Sequence, residues 1–212
     1  MIIKSDKLLS SQQALYFKRI VFKNNILVTT EYEKNFGRYY SRRNDEVSLR
    51  CNDLIIERVQ KNFSRKIFFA YGFLMYYTKS DDGSIGYLNP HLDNLDNEIT
   101  VSLCVDKFPT ASHPLMVSKR VFANPYPHRL SFKEYLDDFV TVNLEVGDGC
   151  IFNGRNRVHW RGEKETESPF LNVLLHYMYE PYSSEDVNEL LSKNPVLYFN
   201  NVDEAIAQHI IS

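Results

Sequence analysis

Apolar residues between Asp45 and Gln60 recur at helical spacing. Val47, Cys51, Leu54, Ile55 and Val59 share one stripe, and Arg50, Asp53, Glu57 and Arg58 occupy the remaining surface. The pattern predicts an amphipathic helix laid on a core. A second helix is predicted over Ser10 to Phe22, and the β-branched run Asn25 to Glu31 (NILVTTE) predicts a strand. From Lys66 the pattern changes to aromatic and β-branched runs separated by clusters of Gly, Pro, Asp and Asn. These predict strands at Lys66 to Tyr77, Ile99 to Val105, Leu115 to Phe122, Thr141 to Leu144, Gly149 to Asn153, Arg157 to Trp160 and Phe170 to Tyr179. Ser131 to Phe139 fits a short helix or a loop. Ser183 to Ser192 fits a helix capped by Ser183, with Asp186 three residues on.

Helices first and many short strands afterwards predict an all-β core with flanking helices (α+β), a double-sheet barrel of the jelly-roll, cupin-like type. No repeat, glycine-serine linker or charge block divides the 212 residues, so one domain is expected. Residues 1–65 would support it, 66–180 would form the barrel and 181–212 would add a carboxy-terminal helical segment. Composition adds 14 Tyr and 14 Phe, which weight the chain toward strands. A formal charge of -2 argues against broad electrostatic capture of nucleic acid. The longest apolar run, Ile67 to Tyr77, is too short to span a membrane, and Lys4, Asp6 and Lys7 interrupt the amino-terminal apolar stretch. A cytoplasmic protein is expected. Cys51, Cys104 and Cys150 are odd in number and far apart, which favours buried thiols over a disulfide. No dinucleotide fingerprint, phosphate-binding glycine loop or nucleophile elbow is present.

Candidate chemistry lies among six histidines. His91 and Asp93 form an H-x-D pair (NPHLDN), and alternation along an extended segment places both side chains on one side. A lone pair of this kind is commonly a surface hydrogen bond. His159, in RVHWRG, is placed to add a second imidazole from elsewhere on the barrel. Two histidines and one carboxylate leave three open positions on an octahedral ion, the facial arrangement suited to non-heme ferrous iron. His176, in LLHYMY, reads as a hydrogen-bonded interior histidine, and His113, His128 and His209 carry no assignment.

The stretches FAYGFLMYYT, NPHLDNLDNEITVSLCVD, EVGDGCIFNGRNRVHWRGE and FLNVLLHYMY, which include a G-D-x-x-x-x-x-G run and an H-W-R ending, resemble the iron(II)- and 2-oxoglutarate-dependent oxygenases. More narrowly they resemble a prolyl hydroxylase-like branch, over roughly residues 66–179. The resemblance implies a double-stranded β-helix in which His91, Asp93 and His159 hold Fe(II), 2-oxoglutarate chelates the metal and dioxygen takes the last open position. Succinate and carbon dioxide would be released, and a small-molecule or peptidyl substrate hydroxylated. Asp93 favours hydroxylation, desaturation or demethylation over halogenation, because related halogenases replace that carboxylate with a small residue. Tyr77 resembles a family tyrosine that hydrogen-bonds the co-substrate, although packing accounts for most of the neighbouring tyrosines.

The chain departs from the family pattern at Pro169, where many members carry the Arg or Lys that pairs with the far carboxylate of 2-oxoglutarate. If residues 162–169 formed a hairpin turn, His159 would lie opposite Asn172 and Arg161 opposite Phe170. Arg161 shares the face of His159 and is the candidate clamp, with Asn172 beside it. The alternative is a surface arginine answering Glu163 or Glu165. Arg157 shares that face too, as a contact for an acidic substrate group or as half of a salt bridge. The stretch Phe122 to Tyr135 could form a lid. A cupin-like barrel that binds metal or ligand without 2-oxoglutarate turnover competes with the oxygenase reading, as does a non-catalytic interaction domain.

Overall fold

The computed structural model describes residues 1–28, 38–79, 88–94, 97–108, 113–121, 136–162 and 169–179. The described elements run β1 (Ile2–Ser5), α1 (Ser11–Lys23), β2 (Arg38–Tyr40), α2 (Glu46–Gln60), β3 (Phe68–Tyr77), β4 (Leu88–His91), β5 (Ile99–Lys107), β6 (Leu115–Ser118), β7 (Phe139–Val142), β8 (Gly149–Phe152), β9 (His159–Arg161) and β10 (Phe170–Met178). A single 3-10 turn, Gly154–Asn156, precedes β9. Two antiparallel sheets result, one ordered β1-β8-β5-β10-β3-β2 and the other β4-β9-β6-β7. This is the predicted jelly roll with helices on its flank.

Alternation along the long strands sorts the core into two layers. Val101, Leu103, Val105, Leu171, Val173 and Leu175 pack with Phe17 and Val21 of α1 and with Val47, Cys51, Ile55 and Val59 of α2. The alternate positions, among them Met75, Tyr77, Cys104 and Phe170, pack with Leu115, Val117 and Val142 of the smaller sheet. With both faces of the larger sheet covered, β5 is buried from Ile99 to Val105, and its inner polar residues Thr100 and Ser102 stand out. Helix α2 lies close on β3. A Cβ at Gly72 would sit 2.7 Å from Leu175 Cδ2 and 3.0 Å from Ser48 Cβ.

Caps explain both helix starts. Ser10 Oγ accepts from the Gln13 N–H while Gln13 Oε1 accepts from the Ser10 N–H, a reciprocal capping box. Asp45 accepts from the N–H groups of Val47 and Ser48 and from the Ser41 hydroxyl. The expected strand over Asn25 to Glu31 does not form in its described part. Asn25 adopts a left-handed φ of 48° and the Ile26 N–H returns to the Val21 carbonyl, which spends these residues on ending α1. Ile26 and Leu27 then pack on the core, and Val28 bridges to Tyr40. Residues 29–31, the Ser183 to Ser192 helix and the lid at Phe122 to Tyr135 lie outside the described residues. All three cysteines are buried and free, as expected. No helix among the described residues is long and apolar enough to cross a membrane.

Candidate metal centre and its cavity

His91 closes β4, and its register partner across the sheet is His159, the first residue of β9. The two rings lie 4.2 Å apart. Each ring is oriented by a backbone carbonyl. His91 Nδ1 lies 2.8 Å from the Asn89 oxygen and His159 Nδ1 3.0 Å from the Arg157 oxygen, so both carry the Nδ1 proton and turn Nε2 away from those carbonyls. Those Nε2 atoms converge on Asp93 Oδ1, at 3.8 Å from His91 and 3.4 Å from His159. The three ligand atoms lie within 4.8 Å of one another, and the set could hold a metal ion.

Burial, then the charge of His159, pushes the His91 imidazole down to about 4, so its ring is neutral at pH 7. For Asp93 burial acts upward, but the imidazoles of His159, His176 and His91 outweigh it and hold the carboxyl below its usual range. The Nε2 lone pair of His91 and the Asp93 carboxylate are therefore available to a cation without expelling protons.

The G-D-x-x-x-x-x-G run shapes this centre from behind. Gly147 has φ 92°, and a Cβ there would overlap the Leu9 carbonyl oxygen. Asp148 accepts from the Lys7 and Glu145 N–H groups and pairs with Lys4 at 3.4 Å, which ties the amino terminus to the barrel. Gly154 backs Asp93 directly. Its carbonyl accepts the Asp93 N–H at 3.0 Å, and a Cβ at this position would overlap Asp93 Oδ2 and Thr100 Oγ1.

The triad opens on a cavity of about 370 Å³ between the sheets, also lined by Arg38, Arg43, Tyr71, Tyr77, His176 and Arg161. Arg161 is 2% exposed, so it is no surface arginine. Its guanidinium donates to Ser102 Oγ at 2.8 Å and to the His113 carbonyl at 2.6 Å, and stacks over Phe170 at 4.8 Å. No carboxylate pairs with it among the described residues, and burial lowers its affinity for the proton. Tyr77 is fully buried beside it, with the guanidinium 5.9 Å over the ring. Asn172 stands one step back. Its carbonyl oxygen accepts from Ser102, the residue that receives Arg161.

Arg161 reaches this place by a route the sequence did not indicate. The hairpin that would set Asn172 opposite His159 does not exist. Strand β9 already has β4 and β6 on its two edges, while β10 lies between β5 and β3 in the other sheet. Arg161 approaches Phe170 across the sandwich instead of along a ladder. Arg157 turns away to the Ser118 carbonyl at 2.9 Å and does not line the cavity.

Sequence reasoning passed over Thr100, Ser102 and Gly154 as site residues and placed His176 in the interior. The available signal was Thr100 and Ser102 alternating with Val101 and Leu103 in a strand that is otherwise apolar from Ile99 to Val105.

No protein-family model matches the chain, and no curated protein sequence does. Its structure is similar to the non-heme α-ketoglutarate-dependent epimerase SnoN from nogalamycin biosynthesis, at TM-score 0.67 and 15% identity over 85% of this chain and 79% of that one. It is also similar to the non-heme α-ketoglutarate-dependent carbocyclase SnoK from the same biosynthesis, at TM-score 0.63 and 13% identity over 90% and 86%. HygX from Streptomyces hygroscopicus, crystallised with nickel and 2-oxoglutarate, matches at TM-score 0.60 and 11% identity over 86% and 84%. The chain has the cupin-like jelly-roll fold of these 2-oxoglutarate-dependent enzymes.

Proposed function

We propose that the chain is a non-heme iron(II)- and 2-oxoglutarate-dependent dioxygenase that hydroxylates a C–H bond of a small-molecule or peptidyl substrate. The observation that carries this reading is a two-histidine, one-carboxylate cluster opening on the same cavity as a buried guanidinium with no carboxylate partner among the described residues. The donor set fits ferrous iron, since two imidazoles and one carboxylate on one side leave the other side of an octahedral ion open. His91, His159 and Asp93 would hold the metal. With iron and 2-oxoglutarate bound, the site gains the dioxygen chemistry that ends in hydroxylated product, succinate and carbon dioxide.

The protein's own part is to place and insulate. The Asn89 and Arg157 carbonyls fix the imidazole planes before any ion arrives. Arg161, held by Ser102 and His113, offers its charge to the far carboxylate of 2-oxoglutarate. Asn172 keeps Ser102 in place for it, and Tyr77 closes the cavity wall beside it. Tyr71 and Phe73 add aromatic walls that exclude water from the reacting region. The cavity volume favours a small molecule, and relatives in fold have been crystallised with hygromycin B and with nogalamycin RO.

The test is an anaerobic titration of apo-protein with ferrous iron and then 2-oxoglutarate, read by the visible charge-transfer band of the chelate. The band is expected in the wild type and absent in His159→Ala. Arg161→Gln should bind iron normally but require about 30-fold or more 2-oxoglutarate, as for a desolvated charge pair worth 2 kcal/mol or more. Bound iron with no band in the wild type would replace this reading with a cupin-like metal-binding barrel.

A further inference from the structure

His176 sits in the middle of β10 and is 2% exposed. Its register partner on one side is Thr100 of β5 and on the other Tyr71 of β3, so the three side chains form one row across the inner face of the larger sheet. The imidazole lies against Tyr71 with centroids 4.6 Å apart and against Phe73 at 5.7 Å. Those contacts leave it little freedom to turn. Its Nδ1 lies 3.3 Å from Thr100 Oγ1 and 3.9 Å from Asp93 Oδ2. The second distance is too long for a hydrogen bond, so the path from His176 to Asp93 runs through Thr100.

The chemistry of the three groups sets the direction of that path. Asp93 Oδ2 is acceptor-only as a carboxylate, so the Thr100 hydroxyl spends its proton on Asp93. Thr100 Oγ1 then has only lone pairs to offer, and His176 must donate to it from Nδ1–H. Donation from Nδ1 pins the hydroxyl, and the pinned hydroxyl holds Oδ2. Oδ1 is thereby turned toward His91 and His159.

We infer that His176 and Thr100 are positioning residues that orient the Asp93 carboxylate for metal binding, with the proton order His176 Nδ1–H to Thr100 Oγ1 and Thr100 Oγ1–H to Asp93 Oδ2. The inference rests on the reading of Asp93 as a metal ligand. It adds two residues to the site, and neither of them touches the metal.

The test uses apo-protein of the full chain and Mn(II) as probe, with binding measured by calorimetry and the Co(II) d–d spectrum as a report on coordination. Loss of an outer hydrogen bond to a ligating group typically weakens metal binding by about 10–100-fold. His176→Phe and Thr100→Val should each show that loss, and the double variant should lose no more than either single one, because both break one path. Asparagine places its amide nitrogen where Nδ1 stood, whereas glutamine places it near Nε2. His176→Asn should therefore restore most of the affinity and the wild-type Co(II) spectrum, and His176→Gln should not. A role in packing alone would instead favour glutamine, whose volume is nearer that of histidine. Thr100→Val is nearly isosteric and keeps the test open if His176 variants fail to fold. Wild-type Mn(II) affinity in Thr100→Val and the His176 variants, alongside lost affinity in His159→Ala, would overturn the inference and leave the metal centre standing. Rescue by glutamine and not by asparagine would overturn it as well. Unaltered Mn(II) binding in His159→Ala would instead remove the metal centre itself.

Discussion

Replacing Gly154 by alanine puts a methyl carbon where the Asp93 carboxylate and the Thr100 hydroxyl already are. The new Cβ would overlap Asp93 Oδ2 and Thr100 Oγ1 and lie 2.8 Å from Asp93 Cγ. Carbon atoms in contact sit about 3.5–4.0 Å apart, so the carboxylate must retreat by roughly 1 Å. The surroundings give little, because Asp93 is also held by its N–H to the Gly154 carbonyl, the atom next to the insertion. Relieving the clash breaks the Thr100 bond to a charged acceptor, worth about 1.5–3 kcal/mol, and keeping that bond retains an overpacking cost of about 1–3 kcal/mol. The two costs are alternatives, so apo-protein should lose about 1–3 kcal/mol, which at this chain length lowers Tm by about 2–12 °C. Misplacing the ligating carboxylate should weaken Mn(II) binding about 10–100-fold. Urea unfolding of apo-protein and calorimetric Mn(II) titration measure both effects. Gly162→Ala is the control, since its Cβ would meet only the flexible end of Met116 at 3.3 Å and should change stability by no more than about 0.5 kcal/mol. Equal stability and equal Mn(II) affinity in the two variants would refute the placement of Asp93 against Gly154.

Acid should destabilise apo-protein well above the carboxylate range. Burial, first among the causes, depresses both His91 and His176 from 6.5 to about 4, so between those values the unfolded chain binds protons that the folded one refuses. Stability is then complete above about pH 6.5 and falls as pH drops toward 4, by up to about 3 kcal/mol per histidine, and Asp93 extends the loss below that. A urea midpoint that stays flat from pH 7 to 4.5 would contradict this. Asp45→Ala removes the acceptor of the Val47 and Ser48 N–H groups at the start of α2 and should cost about 1–2 kcal/mol in thermal unfolding, without altering Mn(II) affinity. Burial pushes the Cys104 and Cys150 thiols up to about 12 and raises Cys51 as well. A thiol reagent should therefore label none of the three in native protein and all of them after denaturation; labelling of native protein would mean that the barrel opens.

Local chemistry was legible in the sequence wherever the signal was local. The stripe from Val47 to Val59 and the run from Ser10 to Phe22 placed both helices within a residue or so, because helical spacing is decided by neighbours three and four positions apart. The long strands β3, β5 and β10 were legible for the same reason. Strands β1, β2 and β4 were not, being short edge strands that form only because β8, β3 and β9 offer them an edge. His91, Asp93 and His159 were recognisable as a candidate set because the H-x-D spacing is itself the geometry and a late histidine completes it. Tertiary structure decided the rest. The smaller sheet captured β9 on both edges and sent Arg161 across the sandwich to Ser102 and Phe170, a contact that no hairpin rule could yield. Only pairing of β5 with β10, at 76 positions' separation in the chain, sets Thr100 beside His176 and gives Asp93 its outer support. Long-range register is chosen by which faces must be buried together, and that choice is made by the whole barrel at once rather than by any segment of it.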